Sequence, residues 1–120
     1  PMNCTAQVKD GKLTIWAPNQ SPTLIRSFCA PLVGVKQENT QVHTTAMGGG
    51  FGRRGELDFA YYATLLAKET EGRPVKVTWT REEDMRRDCY RPAVVAKMRA
   101  RIGDDGLPVA LDIRLGLQST

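Results

Sequence analysis

The sequence predicts an α+β fold, a mostly antiparallel sheet with two main helices packed on it. Three observations carry that prediction. Short segments alternate apolar and polar residues with a period of two, as half-buried strands do. Two longer stretches repeat apolar residues at helical spacing. Turn signals separate them: Asp10-Gly11, Gly72 with Pro74, and Asp104-Asp105-Gly106. The length, 120 residues, fits one domain covering 1–120.

Residues 4–8 place Cys4, Ala6 and Val8 on one side and Thr5 and Gln7 on the other. Asp10-Gly11 turns the chain into a hairpin, and Leu13 and Ile15 continue the alternation on the return strand. Ser21-Pro22 reads as a helix N-cap with proline in the first turn. Ile25, Phe28, Cys29 and Leu32 then form the predicted buried face of that helix. Pro31 has no N–H and crowds the preceding turn, so a kink or an early stop is expected there. Residues 40–45 form a short strand that runs into a glycine loop.

After the loop, Phe59, Tyr62, Ala63, Leu66 and Ala67 fall on one helical face, and Gly72 and Pro74 are expected to end that helix. Val75, Val77 and Trp79 alternate as a strand. Thr80 and Glu83 make a capping box for a helix over 81–88. The last third predicts a long hairpin. Val94, Ala96, Met98, Ala100 and Ile102 go out, and Leu107, Val109, Leu111, Ile113, Leu115 and Leu117 return, with one buried and one solvated face.

Composition excludes several classes. Apolar residues at 41% and charged residues at 25% are those of a globular chain. No apolar run approaches the roughly 20 residues of a membrane span. Opening at Pro1 rather than Met suggests a piece of something longer, so a missing leader carries no information about the compartment, bacterial cytoplasm or periplasm. Cys4, Cys29 and Cys89 are odd in number and form no C-x-x-C pair, which argues against a disulfide framework or a zinc site. His43 is the only histidine and is read as a structural or surface residue of a strand. The net charge of +4 favours an anionic partner without implying nucleic acid.

The densest signal is Met47-Gly48-Gly49-Gly50-Phe51-Gly52-Arg53-Arg54. Glycines strip side chains from the backbone, so N–H groups can approach a ligand closely. It is not a dinucleotide fingerprint, since no βαβ unit follows, and it lacks the Lys-Ser/Thr ending of a Walker loop. By itself the loop is also consistent with a tight strand-to-helix connection. Glu82, Glu83 and Asp84 read as helix-start carboxylates rather than a catalytic pair. Lys97, Arg99 and Arg101 line one strand face, either solvated or in contact with an anionic surface.

The ordered set Asn19-Gln20-Ser21-Pro22, Gly48-Gly49-Gly50-Phe51-Gly52-Arg53-Arg54, Gly72-Arg73-Pro74-Val75-Lys76, Trp79-Thr80-Arg81-Glu82-Glu83-Asp84 and Tyr90-Arg91-Pro92 resembles the molybdenum-cofactor-binding region of the xanthine dehydrogenase/aldehyde oxidase family of molybdenum hydroxylases. Arg53-Arg54 is most similar to the beta subunit of isoquinoline 1-oxidoreductase and related bacterial aldehyde dehydrogenases. The resemblance implies a segment of a larger molybdopterin-binding subunit that hydroxylates N-heterocycles or oxidises aldehydes. It implies a molybdopterin cytosine dinucleotide, with [2Fe-2S] clusters on a small partner subunit and not on this chain.

By the same resemblance, Gln20 donates a hydrogen bond toward the molybdenum oxo group, and Gly49, Gly50, Phe51 and Gly52 pass beside the cofactor. Phe51 also walls the substrate site, Arg53 meets the pyranopterin or phosphates, and Arg91 orients the substrate. No residue here is implied as a metal ligand. Gly55 stands where xanthine enzymes carry a pocket glutamate, and Glu56 comes one later, which argues against a purine substrate. The family's catalytic glutamate, in a Gly-Glu motif near the end of the full subunit, has no counterpart here, so this segment alone is expected to be inert. The expected partners are the rest of the same subunit, the iron–sulfur subunit and the small-molecule substrate, with no nucleic acid. The rival reading is a non-enzymatic α+β module that binds an anionic ligand or a protein.

Overall fold

The computed structural model describes residues 1–118, so the last two residues of the predicted 1–120 domain lie outside the described residues. The chain divides into two compact units, Pro1–Asp88 and Cys89–Thr120.

The first unit is a four-stranded sheet covered by helices. Its strands are β1 (Asn3–Lys9), β2 (Lys12–Ala17), β3 (Thr40–Thr44) and β4 (Val75–Thr78), in the order β3-β2-β1-β4. The predicted hairpin forms at Asp10-Gly11. Both residues have positive φ, +50° and +71°, the turn that matches strand twist, and Lys9 faces Lys12 across it. β1 also pairs antiparallel with β4, while β2 and β3 run parallel and are joined through helix α1 (Pro22–Leu32). The sheet is therefore mostly antiparallel with one βαβ crossover, which precedes the glycine loop.

Helix α1 ends one residue after Pro31, the early stop that proline predicts. Ile25 and Cys29 are buried as expected, but Phe28 is 52% exposed. Helix α2 (Asp58–Lys68) departs further from the prediction. Phe59, Ala63 and Ala67 are buried, joined by Ala60 and Thr64, whereas Tyr62 and Leu66 are about half exposed. The stripe is rotated toward the small residues, which let α2 lie close against β1 and α1. Tyr62 and Leu66 instead line a groove with Val77 and Trp79. The helix stops at Lys68, before Gly72, and a loop with Glu71 and Gly72 at positive φ leads to β4.

Helix α3 (Arg81–Arg87) starts as its cap predicts. Thr80 Oγ1 accepts the Glu83 N–H at 3.2 Å. The core unites Cys4, Ala6, Leu13, Ile15, Ile25, Cys29 and Phe59, all fully buried. Burial holds both thiols protonated, pushing Cys4 up to about 12 and Cys29 up to about 11. On the open face of the sheet, His43 stacks on Trp16 across the β2–β3 pair, centroids 5.6 Å apart, which is the structural role expected of it.

The second unit is the predicted long hairpin, β5 (Val94–Ile102) against β6 (Pro108–Leu117). The register places Val94, Ala96, Met98 and Ala100 opposite Leu117, Leu115, Ile113 and Leu111, one apolar face. That face was expected to be buried. Every residue of both strands is exposed, because the unit holds no second layer among its described residues.

Candidate functional site

The site is built where β2 and β3 end side by side. After Ala17, the chain passes through buried Pro18 and Asn19 to exposed Gln20. The Asn19 side chain is fully used. Its Nδ2 donates to Ala17 O (2.9 Å) and Thr44 Oγ1 (3.2 Å), and its Oδ1 accepts the Ser21 N–H (3.0 Å). This Asx turn fixes the backbone on both sides of Gln20 and starts α1. Ser21 is the cap residue by position, but its hydroxyl makes no capping bond.

The glycine loop leaves β3 and returns to Gln20. The Gln20 N–H donates to Arg54 O (2.9 Å), and Gly52 N–H donates to Gln20 Oε1 (3.0 Å). Since Gly52 N–H requires an acceptor, the amide is oriented with oxygen toward the loop. Its NH2 has no hydrogen-bond partner among the described residues. Gly50 packs on the same side chain: a Cβ there would collide with Gln20 Cδ and Oε1, so a side chain fits only if Gln20 moves. Phe51 sits at φ +48° and is 81% exposed, and Gly52 follows at φ +84°. The loop then tightens into a 3-10 turn, Arg53–Gly55.

The two arginines are committed inside the unit. Arg54 donates to Pro18 O (3.0 Å) and Pro1 O (3.2 Å). Arg53 makes a two-pronged pair with Asp58, Nη1–Oδ1 2.9 Å and Nη2–Oδ2 3.0 Å. Asp84 Oδ1 lies 3.5 Å from its Nη2, and Asp88 Oδ1 lies 2.8 Å from its Nε. Its guanidinium also covers the Trp79 ring at 5.4 Å. Burial works to lower the Arg53 pKa, but the Asp58 hydrogen bond and the charges of Asp58, Asp84 and Asp88 prevail and raise it. Arg53 is a permanent cation with its charge already matched.

What the site presents outward is a set of donors. Gly48, Gly49 and Gly50 offer N–H groups without partners among the described residues, in the loop that packs on Gln20. Such a set fits an acceptor-rich ligand that approaches the backbone. No group of three or more His, Cys, Asp or Glu able to hold a metal occurs among the described residues. Arg91 lies in the second unit, before β5, and is exposed.

The family described as molybdopterin cofactor-binding domain matches residues 1–119. The chain belongs to this family. It is the cofactor-binding region of the molybdenum hydroxylases, as the motifs around Gln20 and Gly50 imply. The beta subunit of isoquinoline 1-oxidoreductase from Brevundimonas diminuta is 33% identical over 78% of this chain and 12% of its own length. A membrane-bound aldehyde dehydrogenase [pyrroloquinoline-quinone] from Gluconacetobacter polyoxogenes is 35% identical over 93% of this chain and 14% of its own. Quinoline 2-oxidoreductase from Pseudomonas putida 86 superposes with a TM-score of 0.69 at 25% identity, covering 95% of this chain and 15% of that one. The chain thus spans about one-seventh of the relatives it matches. Within this molybdopterin-binding region, no helix among the described residues is long and apolar enough to cross a membrane.

Motif reading singled out Gln20 and the loop, and the structure brings them into direct contact. It did not single out the Asn19 side chain, which an Asx-turn pattern, Asn-x-Ser-Pro, would have flagged. It also missed the aspartates around Arg53. Of these only Asp58 is near in sequence.

Proposed function

We propose that this chain supplies one wall of the cofactor site in the large subunit of a molybdenum hydroxylase. In this reading the enzyme hydroxylates N-heterocycles of the isoquinoline kind or oxidises aldehydes. It holds the cofactor as the cytosine dinucleotide and passes electrons to [2Fe-2S] clusters on a partner subunit. The observation that carries the proposal is the Gly52 N–H bond to Gln20 Oε1, which leaves a neutral donor pointing the other way along one amide. When bound, the cofactor supplies the redox and oxygen-insertion chemistry.

The chain's own residues supply orientation. The Gln20 NH2 donates to an oxygen acceptor without changing its charge as the ligand's electron count changes. Gly49, Gly50 and Gly52 let the backbone come close. The exposed Phe51 ring offers a flat surface for an aromatic substrate. The apolar face of the β5–β6 hairpin is the surface for the rest of the same subunit.

The test uses the complete subunit, made with its iron–sulfur partner in a host that builds the cofactor. We expect about one molybdenum and one cytidine nucleotide per chain. Gln20→Ala should keep that content and lose roughly 100-fold in turnover, the usual cost of one oriented donor. Metal-free protein from a well-folded complex would overturn the reading. Equal losses of metal and turnover would remove Gln20 from its assigned role.

A further inference from the structure

The sequence offers Arg53 as a cation for an anionic part of the cofactor. The charges around it point elsewhere. Its side chain is 13% exposed, and three aspartates face it from α2, from α3 and from the residue that ends α3. Asp58 takes both prongs of the fork, and Asp88 approaches the remaining nitrogen. Arg81 also approaches the cluster, 3.8 Å from Asp84. With three carboxylates against the Arg53 guanidinium, an anion brought to it would meet carboxylates first.

The covalent position of Arg53 gives it a different task. It directly follows Gly52, whose N–H holds Gln20 Oε1, and Gly52 stands at a positive φ. Left alone, a loop rich in glycine samples many conformations. A side chain forked onto Asp58 of α2, with ion contacts to Asp84 of α3 and to Asp88 just after it, removes that freedom next to the one residue whose N–H orients the amide. We propose that Arg53 is a positioning residue. Held by Asp58, Asp84 and Asp88, it pins the glycine loop so that Gly52 orients Gln20, and it does not bind the cofactor. The function of the pin rests on the reading of Gln20 given above; the pin itself does not.

The two roles make opposite predictions for the aspartates. If Arg53 were a ligand for an anion, Asp58→Asn with Asp84→Asn would free its charge and strengthen binding. If Arg53 is a pin, the same pair loosens the loop as Arg53→Ala does. The direct readout is amide hydrogen exchange over residues 48–55 in the full chain, with the β1 amides as the internal reference.

The pin predicts at least about tenfold faster loop exchange in Arg53→Ala and in the double aspartate variant, with β1 unchanged and partial recovery in Arg53→Lys. Unchanged loop exchange in both variants, or slower exchange in the aspartate variant, would overturn it. Asp58→Asn alone, at a third-exposed helix start, should also speed loop exchange and keeps the test open if Arg53→Ala fails to fold.

In the complete subunit, the aspartate pair should lower turnover together with Arg53→Ala, and a rise in molybdenum content would also overturn the pin. Faster loop exchange in a subunit that takes up no molybdenum would sink the functional reading and leave the pin standing. Full molybdenum with unaffected loop exchange would do the reverse.

Discussion

In β1 and β2, Cys4, Ala6, Leu13 and Ile15 alternate with polar neighbours and are completely buried. In β5 and β6, Met98, Leu111, Ile113 and Leu115 alternate in the same way and remain 45–63% exposed. The strand pattern is equivalent, and the register in both pairs keeps the apolar residues on one face. The difference is the second layer. The segments that follow β2 and the glycine loop fold into α1 and α2 and cover the first sheet, while residues 89–118 encode strands alone. Alternation defines a face, and only a neighbouring element decides whether that face is dry.

The sharpest way to break this comparison is to truncate one side chain on each sheet and follow thermal unfolding of the first unit. Phe59→Ala empties a fully buried position and should cost about 3–5 kcal/mol. Leu111→Ala, in the exposed hairpin, should change that transition by less than about 0.5 kcal/mol. Comparable losses would mean that the hairpin face is covered in solution.

Gly50→Ala is the next largest effect. Its Cβ would collide with Gln20, so the cost should be about 1–3 kcal/mol, with displacement of the amide read as faster Gly52 exchange. Undiminished stability would show that the Gln20 side chain is free to move aside.

A pH effect tests the dryness of the first core through its thiols. Unfolded, both cysteines titrate near 9.0; folded, burial keeps them protonated until about 12 for Cys4 and about 11 for Cys29. Above pH 9 the unfolded state therefore binds fewer protons than the native one. This contribution is complete below pH 9 and is lost as pH rises through 11 to 12. Urea midpoints across that window should fall less in Cys4→Ala than in the unaltered chain, and parallel slopes would show that Cys4 reaches solvent.

What was legible in the sequence was local. Asp10-Gly11, the Thr80 cap and the strand registers each depend on neighbours a few residues away and form as read, although the Glu83 carboxylate pairs with Arg87 instead of closing the capping box. The helices were placed correctly, but their faces were misjudged at Phe28, Tyr62 and Leu66. A helical repeat of large apolar residues marks a stripe, whereas α2 buries the small side of that stripe to approach β1. Gln20 carries no signal in its own neighbourhood and became visible only through the family motifs. The surroundings of Arg53 were hidden because Asp84 and Asp88 join it from the far side of β4 in sequence.

One parallel pair in an otherwise antiparallel sheet has a consequence for how this site can change over time. Because β2 and β3 run the same way, Gln20 and the glycine loop leave from a common rim, although α1 and the turn after it separate them in sequence. Asn19 stitches the two exits together through Ala17 O and Thr44 Oγ1. The ladder, and not the length of the connection, sets the spacing of the two halves. Insertions or deletions between Val33 and Lys36 can therefore drift without moving the rim, whereas a one-residue slip of β3 would detach the loop from its glutamine.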